Sequence, residues 1–363
     1  MRSCVRWFRR RRSADAARPT EPTTGIDGTE ALGTTDAAAE PLTEARFVAP
    51  QAAPRPWGPR ERNEGEHAGV TIGEPSTFGS ADWWRTDWWP LGTCEGDVVA
   101  DFATVSSFAV AGASMRGNKH RLAGEAGEDA FHIRRATSRT GTEFACIAVC
   151  DGVGSASRSR DGSRWLSRAV TANLAARIAE SEEPGSVDEQ TARAAVAAAV
   201  QDVRDHADRR GIDTSSLQTT LAFAVTCDVA GGAQVIAGQV GDSPILIASD
   251  DALRPALTEA GSDGPILTTS THDALGARPE QLRTATLELA PGERLLVCTD
   301  GVGNFLWSSA GTLDLGRQIL HSMRGPVPQL EFIRQASFDL RSADDDRTLV
   351  ILWTRPPLVE PVA

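Results

Sequence analysis

The chain has 363 residues, of which 40% are hydrophobic, and a formal net charge of −12. This length allows one large domain with extensions or two average domains, and the negative charge argues against general affinity for nucleic acid or anionic membranes. No apolar run is long enough to cross a bilayer, so we expect no stable membrane insertion.

The first hundred residues differ in composition from the rest. Residues 1–100 are rich in Pro, Gly, Glu, Thr and Ala and have no sustained hydrophobic period, which predicts a largely disordered region. Its first twenty residues hold seven Arg and one Asp, a basic head that is either solvated, or contacts acidic lipid through Trp7 and Phe8, or binds an acidic partner. Near its end the repeated DWW of SADWWRTDWWP forms a Trp cluster, predicted to pack on the domain surface or to bind a partner.

Regular apolar runs predict one folded domain over residues 101–356, followed by a Pro-rich tail at 357–363. The first clear element is a strand over Phe144–Cys150 that is apolar on both faces. A helix over Arg164–Ala179 follows, with an apolar residue at every fourth position. A second helix is predicted to open with a capping box at Ser186–Glu189.

Strands then dominate. Thr219–Val229 is predicted to be a strand, and Gln234–Val240 and Pro244–Ala248 are predicted to form a hairpin around Gly241-Asp242-Ser243. Residues 251–285 have an irregular pattern.

Three further elements complete the domain: a strand at Arg294–Cys298, a helix at Pro328–Leu340 and a strand at Leu349–Trp353. Leu330, Ile333 and Leu340 are expected to face inward from this helix. Two consecutive helices followed by a run of strands favour antiparallel sheets with helices packed outside, an α+β class.

The cysteines predict a reducing environment. Because no CxxC pair occurs, the sequence indicates reduced core thiols in a cytoplasmic protein rather than disulfides or a zinc site. Four of the six lie in predicted strands: Cys146, Cys150, Cys227 and Cys298.

Carboxylates recur where the predicted strands begin or end. Each one alone fits common turn chemistry. Asp151 and Asp300, however, both follow a core-type strand and both precede Gly-Val-Gly, so two similar turns are predicted to meet at one end of a sheet. The other acidic positions of this kind are Asp129, Asp242 and Asp344–Asp346.

Gathered carboxylates would repel one another, at about 4 kcal/mol per pair for a separation of about 4 Å and an effective dielectric constant near 20. The only lysine in the chain, Lys119, is expected to offer no neighbouring cation. Oxygen ligands without His or Cys select Mg²⁺ or Mn²⁺ over zinc, and the Gly152 carbonyl could also ligate. Two such ions would bind a bridging water, lower its pKa and clamp a phosphate.

The order of the motifs GEDAF, CDGVGSAS, QTTLAF, GQVGDSPI, CTDGV and DDRTLVILW resembles the metal-dependent serine/threonine protein phosphatases of the 2C type. The resemblance spans about residues 104–356. Each motif is weak alone, but six in the family's order are specific. The resemblance implies a four-layer α-β-β-α sandwich, in which two antiparallel sheets are flanked by helices.

The same resemblance implies a metal site with two Mn²⁺ or Mg²⁺ ions. Asp151 would bridge both ions, the Gly152 carbonyl would bind one of them, and Asp300 and Asp345 would complete the other. Asp345 stands three residues before Thr348, as in the family's DNxT ending, and Asp346 takes the Asn place. The resemblance further implies that Asp129 holds metal-bound water and that Asp242 serves a third, weaker metal site.

One departure concerns the substrate. Many family members carry an Arg that grips the substrate phosphate five residues before the Asp129 position, and here that residue is Gly124. The segment instead resembles a bacterial subgroup with the pattern His-x3-Gly-x3-Gln-Asp, with Glu in place of Gln. His120 is therefore predicted to bind phosphate or transfer a proton, the alternative being a structural histidine.

The implied function is hydrolysis of phosphoserine and phosphothreonine in proteins by a water activated by two metal ions. The implied partner is a phosphorylated protein, either a serine/threonine kinase or a target of one. A second hypothesis is a catalytically weak or inactive 2C-like module that binds or regulates partners. Gly124 favours this second hypothesis, whereas the intact set of Asp151, Asp300 and Asp345 favours the enzyme.

Overall fold

The computed structural model describes residues 96–182, 187–229, 232–250, 252–257, 273–338 and 344–354. The predicted disordered region, with its basic head and Trp cluster, and the predicted tail lie outside these residues, apart from the last residues before position 101. The described strands are β1 (Val98–Val105), β2 (Phe108–Met115), β3 (Ala130–Thr137), β4 (Glu143–Cys150), β5 (Leu221–Val229), β6 (Gly232–Val240), β7 (Ile245–Ala248), β8 (Leu253–Pro255), β9 (Arg283–Leu289), β10 (Arg294–Cys298), β11 (Trp307–Ser308), β12 (Gly311–Thr312) and β13 (Arg347–Trp353). The described helices are α1 (Asn118–Ala123), α2 (Ser159–Glu180), α3 (Glu189–Arg209), α4 (Asp300–Leu306), α5 (Asp314–Ser322) and α6 (Gln329–Ala336).

The strands build two large antiparallel sheets. One sheet has the order β1-β2-β13-β10-β7-β8 and the other the order β3-β4-β5-β6-β9, while β11 and β12 form a separate short pair. Between the two sheets lies a hydrophobic layer that includes Ile147 and Val297. A second layer packs α2 and α3 on the five-stranded sheet, and a third packs α4, α5 and α6 on the six-stranded sheet. The predicted α+β, four-layer sandwich is therefore confirmed.

Burial on both faces explains the continuous apolar run of β4. Ile147 and Val149 point into the layer between the sheets, whereas Cys146 and Ala148 point toward the helices. Because side chains alternate between the two faces of a strand, a strand covered on both sides needs apolar residues at every position. The prediction of a doubly buried strand ending at Cys150 is confirmed.

The predicted hairpin between the sixth and seventh strands is wrong. β6 pairs with β5 and β9, whereas β7 pairs with β10 and β8 in the other sheet. The segment Gly241-Asp242-Ser243 therefore carries the chain from one sheet to the other. A short turn between two apolar strands has the same sequence pattern in either arrangement, so only the pairing partners distinguish the two.

Two further predictions are wrong in part. Residues 251–285 are not wholly irregular, because they include β8 and the start of β9. In the helix α6, Leu330 is 82% exposed, and the buried residues are Phe332 and Ala336. Leu340, also expected to face inward, lies outside the described residues.

The four strand cysteines are free and buried, as predicted. Burial raises the pKa of the Cys146 thiol to about 12 and that of Cys227 to about 11, so both thiols stay protonated and unreactive at neutral pH. Among the described helices, none combines the length and the hydropathy needed to cross a membrane.

The helix α3 begins with a side-chain cap at Asp188 instead of the predicted box starting at Ser186, which lies outside the described residues. The Asp188 carboxylate accepts a 2.7 Å hydrogen bond from Thr191 N, and this bond lowers the Asp188 pKa. We expect Asp188→Ala to lower the free energy of unfolding by about 1 kcal/mol, because an N-terminal N–H loses its acceptor. Urea denaturation measures this loss. Asp188→Ser, which retains a cap, should recover most of the stability, and equal losses in both variants would contradict the assignment.

Candidate metal centre

The structure brings the predicted acidic residues together where the two sheets face each other. Asp151 directly follows β4 of one sheet, and Asp300 begins α4 directly after β10 of the other sheet. The negative charges of Asp129, Asp300 and Asp345 all act on the Asp151 carboxyl group, so the four lie close to one another. The expectation that these turns lie at one end of a single sheet is therefore wrong, because they follow strands of two different sheets, and the role of these residues as metal ligands stays a prediction.

Neighbouring threonines fix the backbone of Asp151. Its N–H donates to Thr220 Oγ1 at 2.9 Å, and its carbonyl accepts from Thr219 Oγ1 and Thr220 N, each at 2.8 Å. The Thr220 hydroxyl also lies 2.7 Å from Ser243 Oγ, in the segment that crosses between the sheets. The motif QTTLAF thus holds the strand end that carries Asp151.

Gly152 is required by close packing. A Cβ at this position would lie 2.8 Å from Glu128 Cβ and 2.9 Å from both the Glu128 carbonyl oxygen and Ser159 Cβ. Real Cβ atoms do not approach other atoms this closely, so only glycine allows the Asp151 turn to pack against Glu128.

The charge of Asp300 acts on the carboxyl group of Asp151. Burial and the charge of Asp129 raise the pKa of Asp151 well above its ordinary value. Burial, together with the charges of Asp242 and Asp345, also raises the pKa of Asp300. Asp242, predicted for a weaker metal site, therefore stands near Asp300, at the edge of the cluster.

Asp129 is the most enclosed member of the cluster. The hydroxyls of Thr299 and Thr348 donate hydrogen bonds of 2.8 and 2.9 Å to its Oδ2. Burial, followed by the charge of Asp346, nevertheless raises its pKa well above the ordinary value. Asp129 thus joins the ends of β10 and β13 through hydrogen bonds.

The adjacent residues Asp345 and Asp346 have different surroundings. Asp345 is exposed, whereas Asp346 is 3% exposed and accepts hydrogen bonds from Gly117 N at 2.6 Å and Glu128 N at 2.5 Å. His120 Nδ1 lies 3.0 Å from Asp346 Oδ2, an ion-pair contact that is not aligned as a hydrogen bond. The sequence alone did not indicate that Asp346 accepts hydrogen bonds from these two backbone N–H groups and contacts His120.

His120 lies beneath the surface. It is 4% exposed, and its Nε2 is 3.7 Å from Glu128 Oε2. The contact with Asp346 raises the His120 pKa, although burial opposes this effect. The predicted contact with phosphate stays a prediction, and the burial favours a histidine that acts through Asp346.

The missing arginine has a structural reason. Gly124 ends α1 with φ 69° and ψ 20°, a left-handed conformation that costs an arginine more than a glycine. The expectation that no lysine neighbours the clustered carboxylates stays a prediction. Lys119 lies on α1 with its Nζ 3.7 Å from the position that a Cβ would take on Gly154, three residues after Asp151.

The donor set fits a hard divalent cation, although its side chains are not assembled around one. Within the part of the chain that the structure describes, no group of three or more His, Cys, Asp or Glu side chains is arranged so that it could hold a metal ion. Burial is the largest cause of the raised pKa values of Asp129, Asp151 and Asp300, and the charges of neighbouring carboxylates add to it. Carboxylate oxygens are the ligands that Mg²⁺ and Mn²⁺ prefer.

These raised pKa values predict how the stability of the metal-free protein depends on pH. Protonated Asp129 favours the folded state, so its contribution is complete below the ordinary value of 3.8 and is lost as the pH rises through the raised folded value. Asp129→Asn cannot ionise but still accepts a hydrogen bond. We expect the variant in EDTA at neutral pH to melt above the wild type, by about 2–4 °C for each kcal/mol gained.

The difference in melting temperature should shrink as the pH is lowered from neutral toward the ordinary value of 3.8, because protonation removes the buried charge of wild-type Asp129. Asp346 is present in both proteins, and its charge is one of the causes of the raised Asp129 pKa. A difference that does not change with pH would contradict the prediction.

Among solved structures, the chain is similar to PppA, a key regulatory component of T6SS in Pseudomonas aeruginosa, with 21% identity and a TM-score of 0.46 over 69% of this chain and 98% of that chain. It is similar to the Mycobacterium tuberculosis serine/threonine phosphatase PstP/Ppp, with 16% identity and a TM-score of 0.47 over 69% and 100% of the two chains. It is also similar to the catalytic domain of PstP in complex with two manganese ions, with 19% identity and a TM-score of 0.42 over 62% and 97%.

No curated protein matches the chain. The model of the family "Protein phosphatase 2C" matches residues 116–332, which is more than half of the chain. This match confirms the resemblance inferred from the six motifs, and the chain therefore belongs to the protein phosphatase 2C family.

Proposed function

We propose that this protein is a metal-dependent phosphatase that hydrolyses phosphoserine and phosphothreonine in proteins. The observation that carries the proposal is the convergence of Asp129, Asp151, Asp300 and Asp345 at the ends of two facing sheets, in a chain of the 2C family. Such a cluster costs folding free energy unless cations offset it, and a function that needs cations explains why it is present.

In this proposal two ions, Mn²⁺ or Mg²⁺, are held by Asp151, the Gly152 carbonyl, Asp300 and Asp345. Asp242, near Asp300, would serve an additional weaker site. When bound, the ions supply an activated water and neutralise the charge of the phosphate. Asp129 would accept hydrogen bonds from water at the ions and donate none while ionised.

His120 would act by holding Asp346 in place, and Asp346 in turn orients the backbone N–H groups of Gly117 and Glu128. We place the phosphatase domain at residues 101–356, close to the part that the structure describes. The substrate would be a phosphorylated protein, either a serine/threonine kinase or a target of one. The buried free thiols support a reducing, cytoplasmic location.

The test is hydrolysis of a phosphothreonine peptide by the full chain. We expect phosphate release in Mn²⁺ or Mg²⁺, loss of release in excess EDTA, and recovery when the divalent ion is restored. A phosphotyrosine peptide of the same sequence serves as the specificity control. A folded protein that binds Mn²⁺ by calorimetry but releases no phosphate from any peptide would instead support the inactive binding module.

A further inference from the structure

Lys119 lies near the candidate metal centre but is not one of its proposed ligands. Lys119 is exposed on α1, between the buried residues Asn118 and His120. Its N–H donates a 2.9 Å hydrogen bond to the carbonyl of Asp344, next to Asp345. The short helix α1 is therefore attached to the acidic segment that precedes β13.

The ammonium group of Lys119 extends over the turn that carries Asp151. Its Nζ lies 3.7 Å from the position of a Cβ on Gly154, and Glu128 Oε2 lies 3.4 Å from the same point. Within the described residues, Lys119 forms no ion pair with a carboxylate. The charge thus lies beside the turn that follows Asp151, and no ion pair within the described residues neutralises it.

A phosphate dianion that approaches four carboxylates is repelled by them, so bound ions and protein cations must both attract it. The arginine position of the family is occupied by Gly124, whose left-handed backbone disfavours a longer residue. Of the nearby arginines, Arg116 is already bound to Asp97 and to the Glu125 carbonyl. Lys119 is exposed and close to the Asp151 turn, and it carries a full positive charge.

We propose that Lys119 binds a phosphate oxygen of the substrate and so takes the place of the missing arginine from a different position in the chain. This inference rests on the proposed function, because it assigns a residue to the same site. Lys119 would contact the substrate directly, attracting and orienting the phosphate group. A lysine gives a single point charge instead of a two-pronged contact, so it constrains the phosphate less tightly than an arginine would.

The experiment compares Lys119→Gln and Lys119→Arg with the wild-type full chain in Mg²⁺. Calorimetry measures the affinity for inorganic phosphate, and steady-state kinetics with the phosphothreonine peptide separate KM from kcat. We expect Lys119→Gln to weaken phosphate binding and to raise KM, each by about tenfold, because one charge-assisted contact is lost. The value of kcat and the urea midpoint should change little, and Lys119→Arg should retain most of the affinity.

Two further variants test whether another basic residue binds the phosphate instead of Lys119. Arg158→Gln removes one charge from the same turn, but Arg158 is engaged with Asp161 at 2.7 Å, so phosphate affinity should not change. Arg164→Gln removes the arginine that lines a small cavity of about 30 Å³ beside Asp129 and Gly127. If only Arg164→Gln weakens phosphate binding, the assignment of Lys119 is overturned.

The same measurements separate this inference from the proposed function. If the wild type hydrolyses the peptide and Lys119→Gln has an unchanged phosphate affinity and KM, the role of Lys119 is rejected while the phosphatase remains. If the wild type binds phosphate through Lys119 but hydrolyses nothing, the phosphatase is rejected while the assignment of Lys119 remains.

Discussion

Replacing Asp151 by Asn is expected to lower kcat/KM for a phosphothreonine peptide by on the order of 10³-fold or more, because one central charge of the site is lost. Asp151 interacts electrostatically with Asp129, Asp300 and Asp345, so its charge is the one that all the others share. Asn has the same shape and keeps the backbone hydrogen bonds to Thr219 and Thr220, which involve only main-chain atoms of residue 151. The variant should therefore fold normally, and calorimetry should show much weaker Mn²⁺ binding.

Asp228→Asn is the matched control for this experiment. Asp228 is exposed near the end of β5. The pairing of Phe144 with Cys227 and of Val149 with Ala222 places it at the opposite end of the sheet from Asp151. This variant should keep wild-type activity and Mn²⁺ affinity. Activity of Asp151→Asn within about tenfold of the wild type would rule out the proposed metal centre, since a shared ligand cannot be dispensable.

The second large effect concerns the contact between His120 and Asp346. Both side chains are almost fully buried, and removing one partner leaves an uncompensated group in the interior. We expect His120→Gln and Asp346→Asn each to lower the free energy of unfolding by about 3 kcal/mol, measured by urea denaturation in EDTA. The double variant should lose about 1–2 kcal/mol less than the two single losses together, because one interaction is counted in both.

His321→Gln is the control for this cycle, because His321 is exposed on α5 and should cost little. Single losses that add without coupling would show that His120 and Asp346 do not act as a pair. Kinetic measurement of the same variants distinguishes positioning from direct contact. A positioning histidine affects activity through Asp346, so His120→Gln should have little further effect on kcat once residue 346 is Asn.

The sequence predicted most strands because their signals are local. The apolar run that ends at Cys150 and the run Arg294–Cys298 are short, continuous and bounded by turn residues, which is the pattern of a strand buried on both faces. The helical face of Leu166, Val170, Leu174 and Ile178 was equally legible, and all four residues are buried. In α6, by contrast, the apolar residues are spaced so that more than one face could be the buried one. Leu330 was expected on the buried face, but it is exposed.

The sequence predicted the candidate metal ligands but not the residues that surround them. Asp151 and Asp300 were recognisable because each interrupts an apolar strand with a carboxylate followed by glycine. Asp346, Glu128 and Lys119 carry no such signal, since charged residues are common on any surface. Their importance depends on partners that are remote in the sequence.

The sequence by itself determined where strands and helices form and which carboxylates end them, because hydrophobic period and turn chemistry act between residues a few positions apart. The tertiary structure decided that β6 and β7 belong to different sheets and that Asp346 binds Gly117, a residue 229 positions away. It also placed Lys119 beside the turn of Asp151. Such contacts arise only when two sheets pack face to face, and the energy of that packing is spread over the whole core and not encoded in any one segment.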